Sequence, residues 1–220
     1  LVAGLVLAAA LSPFAALAQH GGGMPSAQID LSDKASLQRG AGLFMNYCSS
    51  CHSLSYQRYS RMAQDLGLTQ EEVERNLIYS DAKIGETMDT GMNAVDATRW
   101  LGKAPPDLSV VARTKAEGPD WVYNYLKSFY SDESRPTGWN NTVFPGASMP
   151  NVLWEMQGVQ HAVTEPKHKG AACHGGPGHE YQGGCITGFS VPDSQKGTVD
   201  AEQFDLAARD ISAFLAYVGE

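Results

Sequence analysis

Positive charge is scarce in this chain. Sixteen lysines and arginines stand against 24 aspartates and glutamates, a formal net charge of −8. No basic face is available for a phosphate backbone, which speaks against a nucleic-acid binder. Long apolar runs are missing after the first 18 residues, so no later segment reads as a bilayer span. Internal repeats and a convincing strand alternation are missing as well. No Ser-His-Asp set, paired carboxylates or phosphate-cradling loop points to hydrolytic or phosphoryl-transfer chemistry. What remains is ordinary: 43% hydrophobic and 18% charged residues fit a globular protein and neither a disordered chain nor a fibre. The 220 residues suffice for one domain with a sizeable core. The acidic balance suits a basic partner drawn in by electrostatic steering, and equally a surface that simply stays soluble.

Residues 1–18, LVAGLVLAAALSPFAALA, are apolar and uncharged and end in Ala16-Leu17-Ala18. That is the apolar region and small-residue cleavage site of a secretory signal. Pro13 and the A-x-A ending favour a signal over a retained anchor. The charged region and initiator methionine that precede such a segment are missing, so the numbering is expected to begin inside a precursor. Either reading exports the bulk of the chain.

After a glycine-rich lead-in from Gln19 to Ile29, Ser32 or Asp33 caps a helix expected from about Lys34 to Tyr47, with Leu37, Ala41, Phe44 and Met45 on one face. Thr69-Gln-Glu-Glu resembles a capping box opening a helix to about Leu77. Ala82 to Pro106 reads as an ordered loop. Pro119 opens a helix running to Tyr130, and Ser131 to Pro150 is loop. Residues 164–200 read as a Gly/His-rich surface excursion. A last helix, about Ala201 to Val218, carries Phe204, Ala208, Ile211, Leu215 and Val218 on one side. The expected class is mainly α with long loops.

Cys48-Ser49-Ser50-Cys51-His52 is C-x-x-C-H, the attachment sequence of haem c. Two thiols three positions apart at a helix end can add to the two vinyl groups of one porphyrin, and the next residue presents an imidazole to the iron. A zinc site would need two further ligands nearby, and a thioredoxin-like pair would need a βαβ context. One covalent haem c is therefore expected on Cys48 and Cys51, with His52 as an axial ligand. A low-spin electron carrier needs a second axial ligand, and methionine sulfur raises the potential by favouring ferrous iron. Met149 leads, in the stiff loop Phe144-Pro-Gly-Ala-Ser-Met149-Pro150; Met88 or Met92 follows, then His161. Met45 reads as core filler, and Met24 sits in the lead-in.

These residues resemble cytochrome c1, the haem c subunit of the cytochrome bc1 complex (ubiquinol:cytochrome c oxidoreductase). The segment from Arg39-Gly40 through Phe44, Tyr47 and the C-x-x-C-H motif to Tyr56-Gln-Arg58-Tyr59 is similar to the family's haem-binding segment. Ala104-Pro-Pro-Asp-Leu-Ser109, with Arg113 and Gly118-Pro-Asp-Trp-Val-Tyr123, resembles its second block. Phe144-Pro-Gly146 up to Met149-Pro150 resembles the axial-methionine loop, and Asp210 to Tyr217 the segment entering a membrane anchor. Four blocks in the right order make the resemblance specific over most of the exported chain.

The resemblance implies a cytochrome c domain over residues 19–220, with a cytochrome-c-like helical core around the haem. In it the Gly40/Phe44 helix crosses the Phe214/Tyr217 helix. It implies that His52 and Met149 are the iron's axial ligands, that Arg113 bonds a haem propionate and that Pro106 packs on the haem. It further implies an electron-transfer subunit that takes an electron from a Rieske iron–sulfur protein, sits beside cytochrome b and passes the electron to soluble cytochrome c. Bond chemistry would belong to a partner subunit of the quinol–cytochrome-c reductase, on the periplasmic side of the bacterial inner membrane. The family's C-terminal membrane helix would start where this chain stops, at Gly219-Glu220, so the anchor is expected outside the sequence given. A free-standing periplasmic shuttle cytochrome is the alternative, and a haem peroxidase or sensor with an open distal position is a third.

Cys173 and Cys185 flank a glycine-rich stretch, and an oxidising compartment makes a disulfide the leading reading. A metal site of Cys173, His174, His179 and Cys185 fits no common zinc spacing. Asp65, Glu71, Glu72, Glu74, Asp81, Glu86, Asp89 and Asp96 give the region after the motif an acidic excess. A solvated helix face explains part of it; docking of a basic cytochrome c is the functional reading.

Overall fold

Asp33 opens the first helix by accepting the Ser36 amide on its side chain at 3.1 Å, satisfying one of the donors that a helix start leaves bare. Of the two expected caps it is Asp33, and not Ser32, that serves. The structure, a computed structural model, describes residues 24–168, 170–175 and 177–220. The export signal expected at residues 1–18 lies outside the described residues.

In chain order the elements are α1 (Lys34–Tyr47), β1 (Leu54–Arg58), α2 (Tyr59–Leu66), α3 (Gln70–Asn76), β2 (Thr87–Met88), α4 (Ala94–Leu101), α5 (Val111–Thr114) and α6 (Pro119–Lys127). There follow β3 (Phe129–Ser131), β4 (Trp139–Asn141), α7 (Trp154–Gln157), β5 (His161–Pro166), β6 (Glu180–Tyr181), β7 (Gly184–Ser190) and α8 (Ala201–Val218). Helix dominates the core as expected. Thr69 and Glu72 form the reciprocal capping box that the sequence suggested for α3.

The strands correct the expectation of none. They form separate small antiparallel sheets, β1–β2, β3–β4 and β5–β7–β6. The third occupies the Gly/His-rich excursion, which is structured and begins at His161. Most of β5 is exposed, and β7 carries Gly184 and Gly188, so no apolar alternation marked the pair. The stretch from Ala82 to Pro106 is likewise more than loop. It holds β2 and α4, the latter capped by the Asn93 side chain and ended by Gly102 at φ 74°. The Pro119 helix stops at Lys127, and Phe129–Ser131 continues as strand β3.

The core is built on the crossing of α1 with α8. At Gly40 the helices touch so closely that a Cβ there would overlap the Asp210 carbonyl oxygen and stand 2.8 Å from the Phe214 Cβ. The Phe44 and Phe214 rings pack beside this point, with centroids 5.8 Å apart. Asp210 is buried at the same crossing. A buried carboxylate is costly unless paired and hydrogen-bonded, and Arg39 binds it with two nitrogens at 2.6 and 3.0 Å while the Ser36 hydroxyl donates at 2.5 Å. Helix α6 joins α8 through Asp205, which accepts from Tyr123 and Lys127. Phe204, Ala208, Ile211, Leu215 and Val218 are all buried, as their spacing predicts. Among the described residues no helix is long and apolar enough to cross a membrane.

Candidate functional site

Helix α1 runs directly into the C-x-x-C-H motif. Cys48 is its C-cap and still donates to the Phe44 carbonyl at 2.8 Å. The Cys48 carbonyl then accepts both the Cys51 amide (3.0 Å) and the His52 amide (2.9 Å), coiling the five residues into one tight turn. Cys48 is buried, Cys51 is half-buried, and the two are not bonded to each other. Burial pushes the Cys48 thiol up to about 12, as expected of a sulfur enclosed by the core.

His52 is oriented from the far side of the site. Its Nδ1 lies 2.7 Å from the carbonyl oxygen of Pro106, 54 positions away. A carbonyl only accepts, so Nδ1 carries the proton and Nε2 keeps its lone pair. Burial, partly opposed by this hydrogen bond and by Asp107, lowers the histidine's pKa and favours the neutral ring that metal ligation needs. Pro106, expected as a packing residue, acts here through its backbone carbonyl.

The rest of the Ala104–Ser109 block is clasped to the residues after the motif. Leu108 donates to the Ser53 carbonyl (2.9 Å), Asp107 accepts the Ser55 amide (2.9 Å), and the buried Ser109 hydroxyl accepts the Tyr56 amide (3.1 Å). Burial would raise the Asp107 pKa, but hydrogen bonds from Ser109 and Ser55 outweigh it and hold the carboxyl below its ordinary range. On the other flank Thr90 donates to the Ser53 hydroxyl and to the Ser50 carbonyl, each at 2.9 Å. The resemblance marked both sides of this clasp as family blocks but assigned them no contact with each other, and Thr90 lay in neither block.

The ligand candidates separate by environment. Met88 pairs opposite Leu54 across β1–β2 and is 2% exposed within the apolar core. Met92 is half-buried beside Thr90. His161 is tied to Gln195 at 2.6 Å. Met149 is half-buried in the loop between β4 and α7. The exposed Arg113 donates from Nη1 to the Gly219 carbonyl at 2.9 Å, at the end of α8. Cys173 and Cys185 stand at bonding distance, S–S 2.02 Å and Cα–Cα 5.3 Å. Among the described residues no group of three or more His, Cys, Asp or Glu is placed to hold a metal ion. Several of the acidic residues have local partners: Glu71 pairs with Arg75, Asp65 with Arg61, and Glu72 caps α3.

Two unpaired thiols on one turn, followed by a neutral imidazole with Nδ1 engaged and Nε2 open, form a donor set that fits a covalently held haem. Cys48 belongs to the apolar core cluster that includes Leu54 and Met88, with Leu108 and Val111 packed against that cluster. A helical core with this turn at the end of one of two crossed helices defines the class of c-type cytochromes.

Comparison with known proteins narrows the class. The model of the cytochrome c1 family matches residues 26–169. Cytochrome c1 of Allochromatium vinosum is 47% identical over 211 residues, covering 96% of this chain and 81% of the relative. A Nitrosomonas europaea protein named ammonia monooxygenase gamma subunit is 38% identical over 220 residues, covering 98% and 82%. Cytochrome c1 of Rhodobacter capsulatus is 26% identical over 216 residues, covering 86% and 72%. The chain belongs to the cytochrome c1 family. With that membership come a c-type haem and an electron-transfer role in the bc1 complex.

Proposed function

We propose that this chain accepts single electrons from a Rieske iron–sulfur protein and passes them to a soluble cytochrome c, working beside cytochrome b on the periplasmic side of a bacterial inner membrane. A bound haem c supplies exchange between ferric and ferrous iron. Everything else falls to the chain's own residues. Cys48 and Cys51 would hold the group covalently through their sulfurs, and His52 Nε2 and the Met149 sulfur would ligate its iron. Arg113 keeps guanidinium N–H groups beyond the one on Gly219 for a propionate. Cys173 and Cys185 form a disulfide that closes the excursion in the oxidising compartment.

The observation that carries this reading is the Pro106–His52 hydrogen bond. It fixes the tautomer and ring plane of the ligand without spending a side chain, so the site has little to rearrange when the charge on the metal changes by one. The acidic surface gives the direction of partner choice. Asp81, Glu86 and Asp89 are exposed on the segment that flanks the motif, a potential that attracts a basic acceptor.

The test is the absorption spectrum of the reduced and oxidised protein with Met149→Ala alongside. A sharp reduced α-band, and a weak near-infrared sulfur–iron band in the parent that the variant lacks, are expected. A high-spin parent spectrum, or a variant that matches the parent, would refute the ligand assignment. Electron delivery to a basic cytochrome c should slow as salt rises, and a salt-independent rate would refute acidic docking.

A further inference from the structure

The two proposed axial ligands pose unequal positioning problems. His52 has a second ring nitrogen, and the structure uses it. A thioether has no second heteroatom to be held by, so the direction of the Met149 sulfur can be set only by the chain on either side of it. That chain is a loop without regular structure, from Thr142 to Leu153.

Both feet of the loop end on the same place. Asn141, 0% exposed, donates from Nδ2 to the Tyr125 carbonyl at 2.8 Å, while its Oδ1 accepts the amides of Val143 (2.9 Å) and Phe144 (3.0 Å). Asn151, 2% exposed, accepts the Leu153 amide on Oδ1 at 3.0 Å and donates to Gln157 Oε1 at 2.7 Å. Gln157 Nε2 passes the connection on to the Lys127 carbonyl at 3.3 Å. Tyr125 and Lys127 lie in the last turn of α6, where a helix end leaves carbonyls to be satisfied from outside; the Tyr125 carbonyl also accepts the Ser128 amide at 3.3 Å. Asn140 adds a further tie by accepting the Gly146 amide at 2.9 Å. Helix α6 is bound to α8, and α8 to α1, the helix that delivers His52.

We infer that Asn141 and the Asn151–Gln157 pair are positioning residues for the axial sulfur: they cap α6 with the methionine loop and so lock Met149 to the frame that carries His52. The inference rests on Met149 being the ligand. Buried amides at both ends of the span from Asn141 to Asn151 do more than stabilise a turn, because each uses its oxygen to shape the loop backbone and its nitrogen to anchor it.

The experiment compares loaded Asn141→Ala, Asn151→Ala and Gln157→Ala with the parent, with Met149→Ala and with Asn93→Ala, which removes the α4 cap away from the loop. Four readouts apply: the near-infrared sulfur–iron band, carbon monoxide uptake by the reduced protein, the midpoint potential, and amide exchange at Val143, Phe144 and Leu153. Loss of a supporting contact around a metal ligand typically costs about tenfold or more in ligand binding. The three loop variants should therefore show about a tenfold larger carbon monoxide-reactive fraction, a weaker band, a lower potential and faster exchange. Asn93→Ala should leave band and potential unchanged. Gln157→Ala leaves the loop sequence intact and keeps the test open where an asparagine variant fails to fold. The inference is overturned if the loop variants match the parent while Met149→Ala loses the band, or if Asn93→Ala loses it equally. A band that persists in Met149→Ala overturns the ligand assignment itself, and this inference with it.

Discussion

Gly40 and Gly42 lie two positions apart in the same helix and should respond to alanine with opposite signs. Nothing lies within 4 Å of a Cβ built at Gly42, so Gly42→Ala gains only helix propensity, about 0.8–1 kcal/mol of added stability. At Gly40 the same gain is set against a Cβ that would overlap the Asp210 carbonyl oxygen, with the carbonyl carbon at 2.7 Å and Phe214 Cβ at 2.8 Å. Two of these atoms belong to backbone and cannot turn aside. Helices α1 and α8 would have to part by about 1 Å, loosening the Phe44–Phe214 contact and the Arg39–Asp210 pair; forced overpacking of this kind costs about 1–3 kcal/mol or more. After the propensity gain, Gly40→Ala should lose up to about 2 kcal/mol, a midpoint lowered by about 2–4 °C for each kcal/mol in a chain of this size. Urea unfolding of both loaded variants, followed by circular dichroism, measures the difference. Equal stabilisation of the two variants would show that the helices do not meet at Gly40, and the placement of the motif at the end of a tightly crossed helix would fall with it.

Replacing Cys173 and Cys185 together by serine should lower unfolding stability by about 3 kcal/mol, the value for closing a loop of this length, while leaving the haem spectrum unchanged; an unchanged urea midpoint would exclude the bond. Asp205 gives a pH signature. Burial raises its pKa, but hydrogen bonds from Lys127, Tyr123 and Arg209 and the charge of Lys127 outweigh burial and hold it below its ordinary 3.8. Its contribution is thus present above that value and lost as pH falls through the lower, folded value. Asp205→Asn should flatten the acid limb of the stability profile below about pH 4, and a profile parallel to the parent's would contradict the pairing.

The parts of the fold legible in the sequence were those where one local signal decides. Asp33, Thr69 and Pro119 mark helix starts because a cap acts within three residues. The stripe from Phe204 to Val218 was readable because α8 buries nearly all of it. Helix α4 had its signals, Asn93 before it and Gly102 after it, but they lay in a stretch whose glycines and double proline outvoted them. The β5–β7 pair gave none, being exposed on most of one strand and glycine-bearing on the other. At the site, Cys48, Cys51 and His52 announce their chemistry by spacing alone. The acceptor that orients His52 does not, since a backbone carbonyl 54 positions away has no sequence signature. Asn141 and Asn151 were invisible for a related reason: next to a proline-rich loop, asparagine reads as a solvated turn residue, and only the fold shows both side chains fully enclosed.

The helix that completes the core is also the one synthesised last among the described elements. Ser36 meets Asp210 across 174 positions, and the glycine notch of α1 has nothing to close against until α8 is present. A nascent fragment that ends before residue 201 already holds every partner of its thiol-bearing turn, from helix α1 to Thr90 and Pro106, but it cannot bury Phe44 or pair Arg39. The core can therefore close only once its final helix is present, through contacts that are distant in sequence.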